Sequence, residues 1–183
     1  MAALLIVGAA VVVYLATSGQ KGGSSSQPAV VVAKAADENV GEKVPVQTGT
    51  HISVGAKGNW ASDPPSSGQH YNELGIAPVA WGTDQQLKPE QWVHNLEHGG
   101  IVILYSCPSG CGADTAAIRS FLGAAPQESE FHEVKLVVSP YAVPGHRFAL
   151  LAWGWQMFLD SWDPALATKF YAAHVDRAPE ERP

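Results

Sequence analysis

A glycine pair, Gly99-Gly100, joins a polar segment to a run of five apolar residues. The apolar run, Ile101–Tyr105, is short and is bounded by turn-forming residues, a pattern typical of a buried strand. The polar segment before it carries two imidazoles and a carboxylate, at His94, Glu97 and His98. This junction constrains the fold more than any other part of the chain, because it places the imidazoles and the carboxylate directly next to a strand of the core.

Further apolar runs predict a small α+β domain with a short mixed or antiparallel sheet, two or more helices and long loops. Residues 134–138 and 148–153 are bounded apolar runs, and we expect them to form two more strands. Residues 30–36 are also apolar and form either an edge strand or part of a linker. Residues 64–68 contain two prolines and a glycine, which exclude regular structure and indicate a long loop.

Two helices are predicted from their caps and apolar stripes. Asp114 is expected to cap the first helix, whose stripe consists of Ile118, Phe121 and Leu122. Asp163 is expected to cap the second helix, which has Pro164 in its first turn and a stripe formed by Leu166, Phe170 and Ala173.

The amino-terminal segment differs from this domain. Residues 2–17 are apolar and uncharged, and as a helix they would extend ~24 Å at about 1.5 Å per residue, near the thickness of a hydrocarbon core. A cleaved signal peptide is the alternative, but no basic residue precedes Lys21, which also suggests a start further upstream. We predict a transmembrane anchor at 1–18, a flexible Gly/Ser-rich linker at 19–40, a globular domain at 41–177 and a disordered tail at 178–183.

This organisation predicts a single-pass protein of the cell membrane with its domain on the extracytoplasmic side. The expected partners are the membrane itself, through residues 2–17, and a membrane protein complex. The net charge is −6, and no basic patch is present that could neutralise phosphates, so nucleic acid is not an expected partner.

Four of the seven histidines, His51, His70, His94 and His98, lie in the first half of the predicted domain. Imidazole is the commonest side-chain metal ligand, and four-residue spacing places His94 and His98 on one face of either a helix or a strand. We therefore predict a zinc or copper site formed by His70, His94 and His98. His51 is the expected fourth ligand, with Glu97 or water as alternatives, and Glu97 otherwise orients a ligand.

Two other interpretations of this segment are open. His94 and His98 could hydrogen-bond the backbone around the glycine turn, or Glu97 and His98 could act as an acid–base couple. A zinc-protease motif is excluded because it requires Glu directly after the first His, whereas Glu97 directly precedes the second. Structural roles are expected for the remaining histidines, His132, His146 and His174.

The two cysteines, Cys107 and Cys111, follow the predicted strand and are separated by Pro, Ser and Gly. In an extracytoplasmic domain a structural disulfide between them is expected. The alternative is a reversible dithiol that binds copper or exchanges electrons, as in copper-delivery proteins of thioredoxin-like fold. The βαβ pattern that should surround such a dithiol is not evident upstream.

Three segments resemble a known family. They are the loop Pro64-Pro65-Ser66-Ser67-Gly68-Gln69-His70, the segment Val93-His94-Asn95-Leu96-Glu97-His98-Gly99-Gly100-Ile101-Val102 and the later Ala152-Trp153-Gly154. Over about residues 45–175 the chain resembles the bacterial family called domain of unknown function 3105. The resemblance implies a single-span membrane protein with one extracytoplasmic domain and no established activity. The motif positions that match are His51, His70, His94, Glu97 and His98.

Three functions are compatible with these features. The first is a membrane-anchored domain that binds a transition metal for metal handling or in support of a membrane redox complex. The second is a non-catalytic accessory subunit with structural histidines and a Trp-rich docking surface. The third is a hydrolase that uses metal-activated water. The metal hypothesis requires the ring nitrogens of His70, His94 and His98 to converge within about 4 Å, because zinc–nitrogen bonds are ~2.0–2.1 Å long.

Overall fold

The computed structural model describes residues 31–32, 39–107, 112–180 and 182–183. The predicted anchor at 1–18 and most of the predicted linker lie outside these ranges. Among the helices described, none has both the length and the apolar character needed to cross a membrane. The elements are the strands β1 (Val31–Val32), β2 (Glu42–Lys43), β3 (Thr50–Ile52), β4 (Gln69–Tyr71), β5 (Ile101–Tyr105), β6 (Gln127–Glu128), β7 (Leu136–Pro140), β8 (Phe148–Ala152) and β9 (Trp155–Leu159), and the helices α1 (Pro89–Glu97), α2 (Gly112–Ala124) and α3 (Pro164–His174).

The main sheet has five strands in the order β2-β9-β8-β5-β7. β5 and β7 run parallel, whereas every other neighbouring pair is antiparallel. This mixed sheet and the three helices confirm the predicted small α+β domain. Two pairs of short strands lie outside the main sheet: β1 with β6, and β3 with β4, both parallel. The apolar segment at 30–36 therefore contributes a two-residue strand.

Both faces of the main sheet are covered, which explains why β5 is apolar along its whole length. Ile101 and Ile103 point to one face, where they pack with Ile118 of α2 and Phe170 of α3. Val102 and Leu104 point to the other face, where α1 buries its own apolar residues, Trp92, Val93 and Leu96. The central strand is thereby fixed from both sides, and so is the turn that precedes it.

The two predicted helices are present, with one correction. Asp163 caps α3 as expected, since its Oδ1 accepts hydrogen bonds from the amides of Ala165 and Leu166 at 2.9 and 3.1 Å. The prediction that Asp114 caps α2 was wrong: α2 begins at Gly112, and the carboxylate of Asp114 instead pairs with Arg147. The first turn contains no large apolar residue, so the sequence pattern placed its start too late.

Two of the longer elements, α1 and β9, were not recognised from the sequence, and neither were the short strands β2, β4 and β6. The four-residue spacing of His94 and His98 fits one face of either a helix or a strand, so the sequence does not distinguish the two. In the structure Pro89 opens the helix, and the side chain of Gln91 accepts the amide hydrogen of Lys88 at 3.0 Å. β9 returns antiparallel to β8 through a tight turn at Trp153-Gly154, where Gly154 has a φ of +73°.

Candidate metal centre

The short parallel pair β3–β4 places two histidines side by side. His51 of β3 lies opposite His70 of β4 in the register, and their ring centroids are 4.9 Å apart. The loop before β4 is held on α1, because the indole Nε1 of Trp92 donates to the carbonyl of Pro65 at 3.2 Å. The side chain of His70 is fully buried, whereas that of His51 is 51% exposed.

The last turn of α1 supplies the next two groups. His94 and Glu97 are three residues apart, so they share a face of the helix, and both are buried. The chain then leaves the helix through Gly99, whose φ is +81°. A Cβ on Gly100 would stand 2.4 Å from the ring of Trp81. The glycine pair is therefore required to turn the chain from α1 directly into β5.

The strand pair β3–β4 and helix α1 bring four potential ligands together: His51, His70, His94 and Glu97. One ligand atom of each residue lies within 4.8 Å of the corresponding atoms of the other three. Oε2 of Glu97 is 2.9 Å from Nε2 of His70 and 3.9 Å from Nε2 of His51. Four tetrahedral ligands of one zinc ion are about 3.3 Å apart, given bonds of ~2.0–2.1 Å. The observed separations bracket this value.

Backbone carbonyls fix the tautomers of the two buried imidazoles. Nδ1 of His70 lies 2.8 Å from the carbonyl oxygen of Gly68, and Nδ1 of His94 lies 2.7 Å from that of Tyr71. A carbonyl oxygen only accepts, so each Nδ1 must carry the proton and each neutral ring presents the lone pair of its Nε2. A carbonyl behind the ring is the usual arrangement for a metal-binding histidine.

This tautomer leaves two acceptors facing each other. Nε2 of His70 and Oε2 of Glu97 are buried, and neither makes a hydrogen bond within the described residues. Two buried lone-pair atoms at 2.9 Å repel each other unless a cation or a proton lies between them. A cation bound between the two atoms would remove this repulsion, and so would a proton, which would make His70 and Glu97 an ion pair.

Protonation in this group also favours a cation. Burial lowers the pKa of His94 to about 4, so its imidazole is neutral near pH 7. Burial raises the pKa of the Glu97 carboxyl, but a hydrogen bond from His70 in its protonated form and the charge of the nearby imidazoles outweigh burial, and the net pKa is lowered. Metal ligands must be deprotonated, and these two groups already are.

His98 lies beside this group rather than within it. Its Nε2 is 3.2 Å from Nε2 of His94, and because that atom can only accept, His98 donates. The same Nε2 is 3.5 Å from Oε2 of Glu180. His98 also lines a surface cleft of about 440 Å³ together with Trp81 and Asn95. Burial lowers the pKa of His98 as well.

The predicted site residues can now be compared with their positions. His51, His70 and His94 come together as predicted, with Glu97 as the fourth member in place of His98. Of the remaining histidines, His146 contacts Asp160 at 2.9 Å and Nε2 of His174 donates to the carbonyl of Val40 at 2.6 Å, both away from the site. Cys107 follows β5, but Cys111 lies outside the described residues, so the disulfide stays a prediction. The predicted disordered tail contributes Glu180, whose amide donates to the carbonyl of Glu97 at 3.1 Å.

Sequence reasoning missed the groups that orient the ligands. Backbone carbonyls, such as those of Gly68 and Tyr71, carry no sequence signal. Asn72, whose Nδ2 lies 3.1 Å from Nδ1 of His51, is four residues after Gly68 at the end of the Pro-rich loop and resembles any turn residue. Gly49 packs directly on the carboxylate of Glu97, and only its position close to His51 in the chain could have drawn attention to it.

Residues 51–183 match the family described as Protein of unknown function (DUF3105). This match begins at His51 and includes every residue of the cluster. The fold and site thus define a small α+β domain with a buried histidine–carboxylate cluster, and the chain belongs to the DUF3105 family. Comparison with curated proteins found no significant match, and neither did comparison with solved structures.

Proposed function

We propose that this domain binds one transition-metal ion, zinc or copper, through His51, His70, His94 and Glu97. One observation carries the proposal: Nε2 of His70 and Oε2 of Glu97 are buried, face each other at 2.9 Å and repel each other when His70 is neutral. A metal ion bound between them would convert this repulsion into two coordinate bonds.

The donor set suits these metals. Three imidazoles and one carboxylate are ligands that zinc takes in tetrahedral sites, and imidazole also suits copper. The carboxylate of Glu97 supplies a negative charge to balance the ion. The carbonyls of Gly68 and Tyr71 hold two of the imidazoles in the tautomer that ligation requires, so part of the site is organised in advance.

We further propose that the domain works at the outer surface of a cell membrane, held there by residues 2–17. Only the uncharged apolar character of these residues supports this part. In that location the domain would handle metal ions or serve a membrane complex as an accessory subunit.

The test is metal analysis of the full chain, purified without a histidine tag, by elemental analysis and by titration with Zn²⁺ and Cu²⁺. We expect near-stoichiometric binding by the wild type. Glu97→Gln keeps the side-chain shape and removes the charge, and His70→Ala removes a buried ligand; each should weaken binding by more than about 100-fold, since losing a ligand costs more than losing an outer partner.

The matched control is His146→Ala, which removes a histidine that also pairs with a carboxylate, but at the surface. It should bind metal as the wild type does. Folding of each variant is checked by circular dichroism. Equal affinity in the wild type, Glu97→Gln and His70→Ala would reject the proposed site, as would a wild type that binds neither metal. The histidines would then have structural roles only.

A further inference from the structure

We infer that the fourth coordination position, the one on the His51 side, is exchangeable and admits a small exogenous anion. This inference rests on the proposed function. His70, His94 and Glu97 would form the fixed ligand set, and His51 would leave the ion when an anion binds.

The four groups differ in how firmly they are held. His70 and His94 are buried, and each is oriented by a buried contact with a backbone carbonyl. His51 is half exposed and lies on a three-residue strand, and its ring nitrogens contact Asn72 and, more distantly, Glu97. The free energy needed to move His51 off an ion is therefore much smaller than for the other two imidazoles.

The contact with Asn72 also opposes ligation. When the amide Nδ2 of Asn72 donates to Nδ1 of His51, the imidazole proton resides on Nε2, the nitrogen that faces Glu97. A protonated Nε2 cannot bind a metal, but it can donate a hydrogen bond to an anion on the metal. Rotating the amide by a half-turn presents Oδ1 instead, moves the proton to Nδ1 and frees Nε2 for ligation. The amide of Asn72 thus selects between the two states of His51.

Access to the cluster points to the same side. His51 is the exposed member of the group. The other side of His94 is closed by His98, whose side chain is only 12% exposed, and by the carboxylate of Glu180. A carboxylate at that end repels anions, so the exposed His51 side is the route by which a small anion reaches the ion.

The resulting arrangement is two imidazoles, one carboxylate and an exchangeable position. Catalytic zinc sites keep such a position for water or substrate, whereas structural zinc sites use four protein ligands. The geometry therefore assigns this centre to the class that binds hydroxide or another small anion rather than to the closed structural class.

The test uses the full chain loaded with Co²⁺, whose visible spectrum reports its ligands, and azide as the anion. We expect azide to change the spectrum of the wild type with saturation. His51→Ala should retain Co²⁺ with an affinity lowered by about 10-fold, the low end of the cost of changing a group that only orients a ligand, and should still bind azide. The azide titration is repeated in His51→Ala/His98→Ala, because His98 is near enough to His94 to occupy the released position.

Asn72 provides the second variant. Asn72→Asp places an acceptor opposite Nδ1, directs the lone pair of Nε2 to the ion and should weaken azide binding by about 10-fold or more. Asn72→Ala removes the amide donor without adding charge, and it should also weaken azide binding, which separates tautomer selection from charge repulsion.

Two results would overturn the inference while leaving metal binding intact. In the first, His51→Ala loses Co²⁺ as fully as His70→Ala does. In the second, the Co²⁺-loaded wild type, His51→Ala and the double variant all fail to respond to azide. Failure of the wild type to bind Co²⁺ or Zn²⁺ would reject the proposed function itself.

Discussion

Gly49 lies so close to Glu97 that a Cβ added to it would stand 1.7 Å from the carboxylate Oε1. The same Cβ would lie 3.5 Å from Cε1 of His70. A side chain at position 49 must therefore displace the carboxylate, although Gly49 is not itself a ligand.

Gly49→Ala should weaken metal binding by about 10–100-fold, the range seen when groups that orient ligands are changed. Zn²⁺ titration of the full chain measures the effect. The matched control is Gly123→Ala, because a Cβ at that helical position meets no atom within 4 Å. Wild-type affinity in Gly49→Ala would show that Glu97 does not bind the ion.

His98→Ala distinguishes the observed cluster from the ligand set predicted from the sequence. In the structure His98 donates to the lone pair of His94 that an ion would use, so its removal should leave metal affinity unchanged or raise it by up to about 10-fold. Competition with a chromogenic chelator measures the metal affinity of His98→Ala and of His94→Ala side by side. If His98→Ala loses the ion as completely as His94→Ala, His98 is a ligand after all.

Lys135 should be important for stability because its ammonium group is fully buried. It pairs with Asp176 and donates to the carbonyl of Arg182 at 2.6 Å. Lys135→Met would remove the cation that pairs with the buried carboxylate of Asp176, at an expected cost of about 3–5 kcal/mol in the free energy of unfolding.

Urea unfolding followed by circular dichroism checks this value. Arg119→Met, which breaks the solvent-exposed pair with Asp84, is the control and should have a smaller effect because water screens that pair. Equal effects of the two substitutions would contradict the prediction.

The carboxyl of Glu128 should make the free energy of unfolding fall in acid. Burial raises the pKa of its carboxyl, but hydrogen bonds from the amides of Glu133 and Phe131, from the side chain of Asp176 and from the amide of Glu130 outweigh burial and lower the pKa from 4.5 to about 2. A pKa lowered on folding contributes stability above the unfolded value, and this contribution is lost as the pH falls from 4.5 towards 2.

Thermal unfolding between pH 6 and about pH 2.5 should therefore show a steeper acid-side decline for the wild type than for Glu128→Gln. Burial raises the pKa of Asp176 from 3.8 to about 6, which acts in the opposite direction over that interval. Because the carboxyl of Glu128 also hydrogen-bonds that of Asp176, Glu128→Gln reports on the two carboxyls together. Parallel curves for the two proteins would contradict the assignment.

The elements recognisable from sequence were those that a short local pattern of residues is enough to identify. Ile101–Tyr105 is apolar on both faces and was predicted with the bounds that the structure gives to β5. Asp163 and Pro164 mark the start of α3 in the same local way. By contrast, α1 contains buried polar residues, because its inner surface carries the cluster as well as core side chains. Its hydrophobic pattern was therefore too weak to distinguish a helix from a strand.

The cluster was predictable as a set of residue types but not as an arrangement. Spacing along the chain suggested that His94 and His98 act together, yet the helix ends at Glu97 and His98 falls outside the group. Glu97 replaces it because position i+3 in the last turn faces β4. The parallel pairing that aligns His51 with His70 joins segments 19 residues apart in the chain, and no local pattern encodes such a register.

The small sheet formed by β3 and β4 has only three residues in each strand, and two such strands alone are marginal in water. An ion held by one residue from each strand and two from α1 would tie three separate stretches of chain to a single point. It would act on the loop-rich amino-terminal half as a removable cross-link. Proteases should then cut that half first when a chelator is present, while the five-stranded sheet resists them.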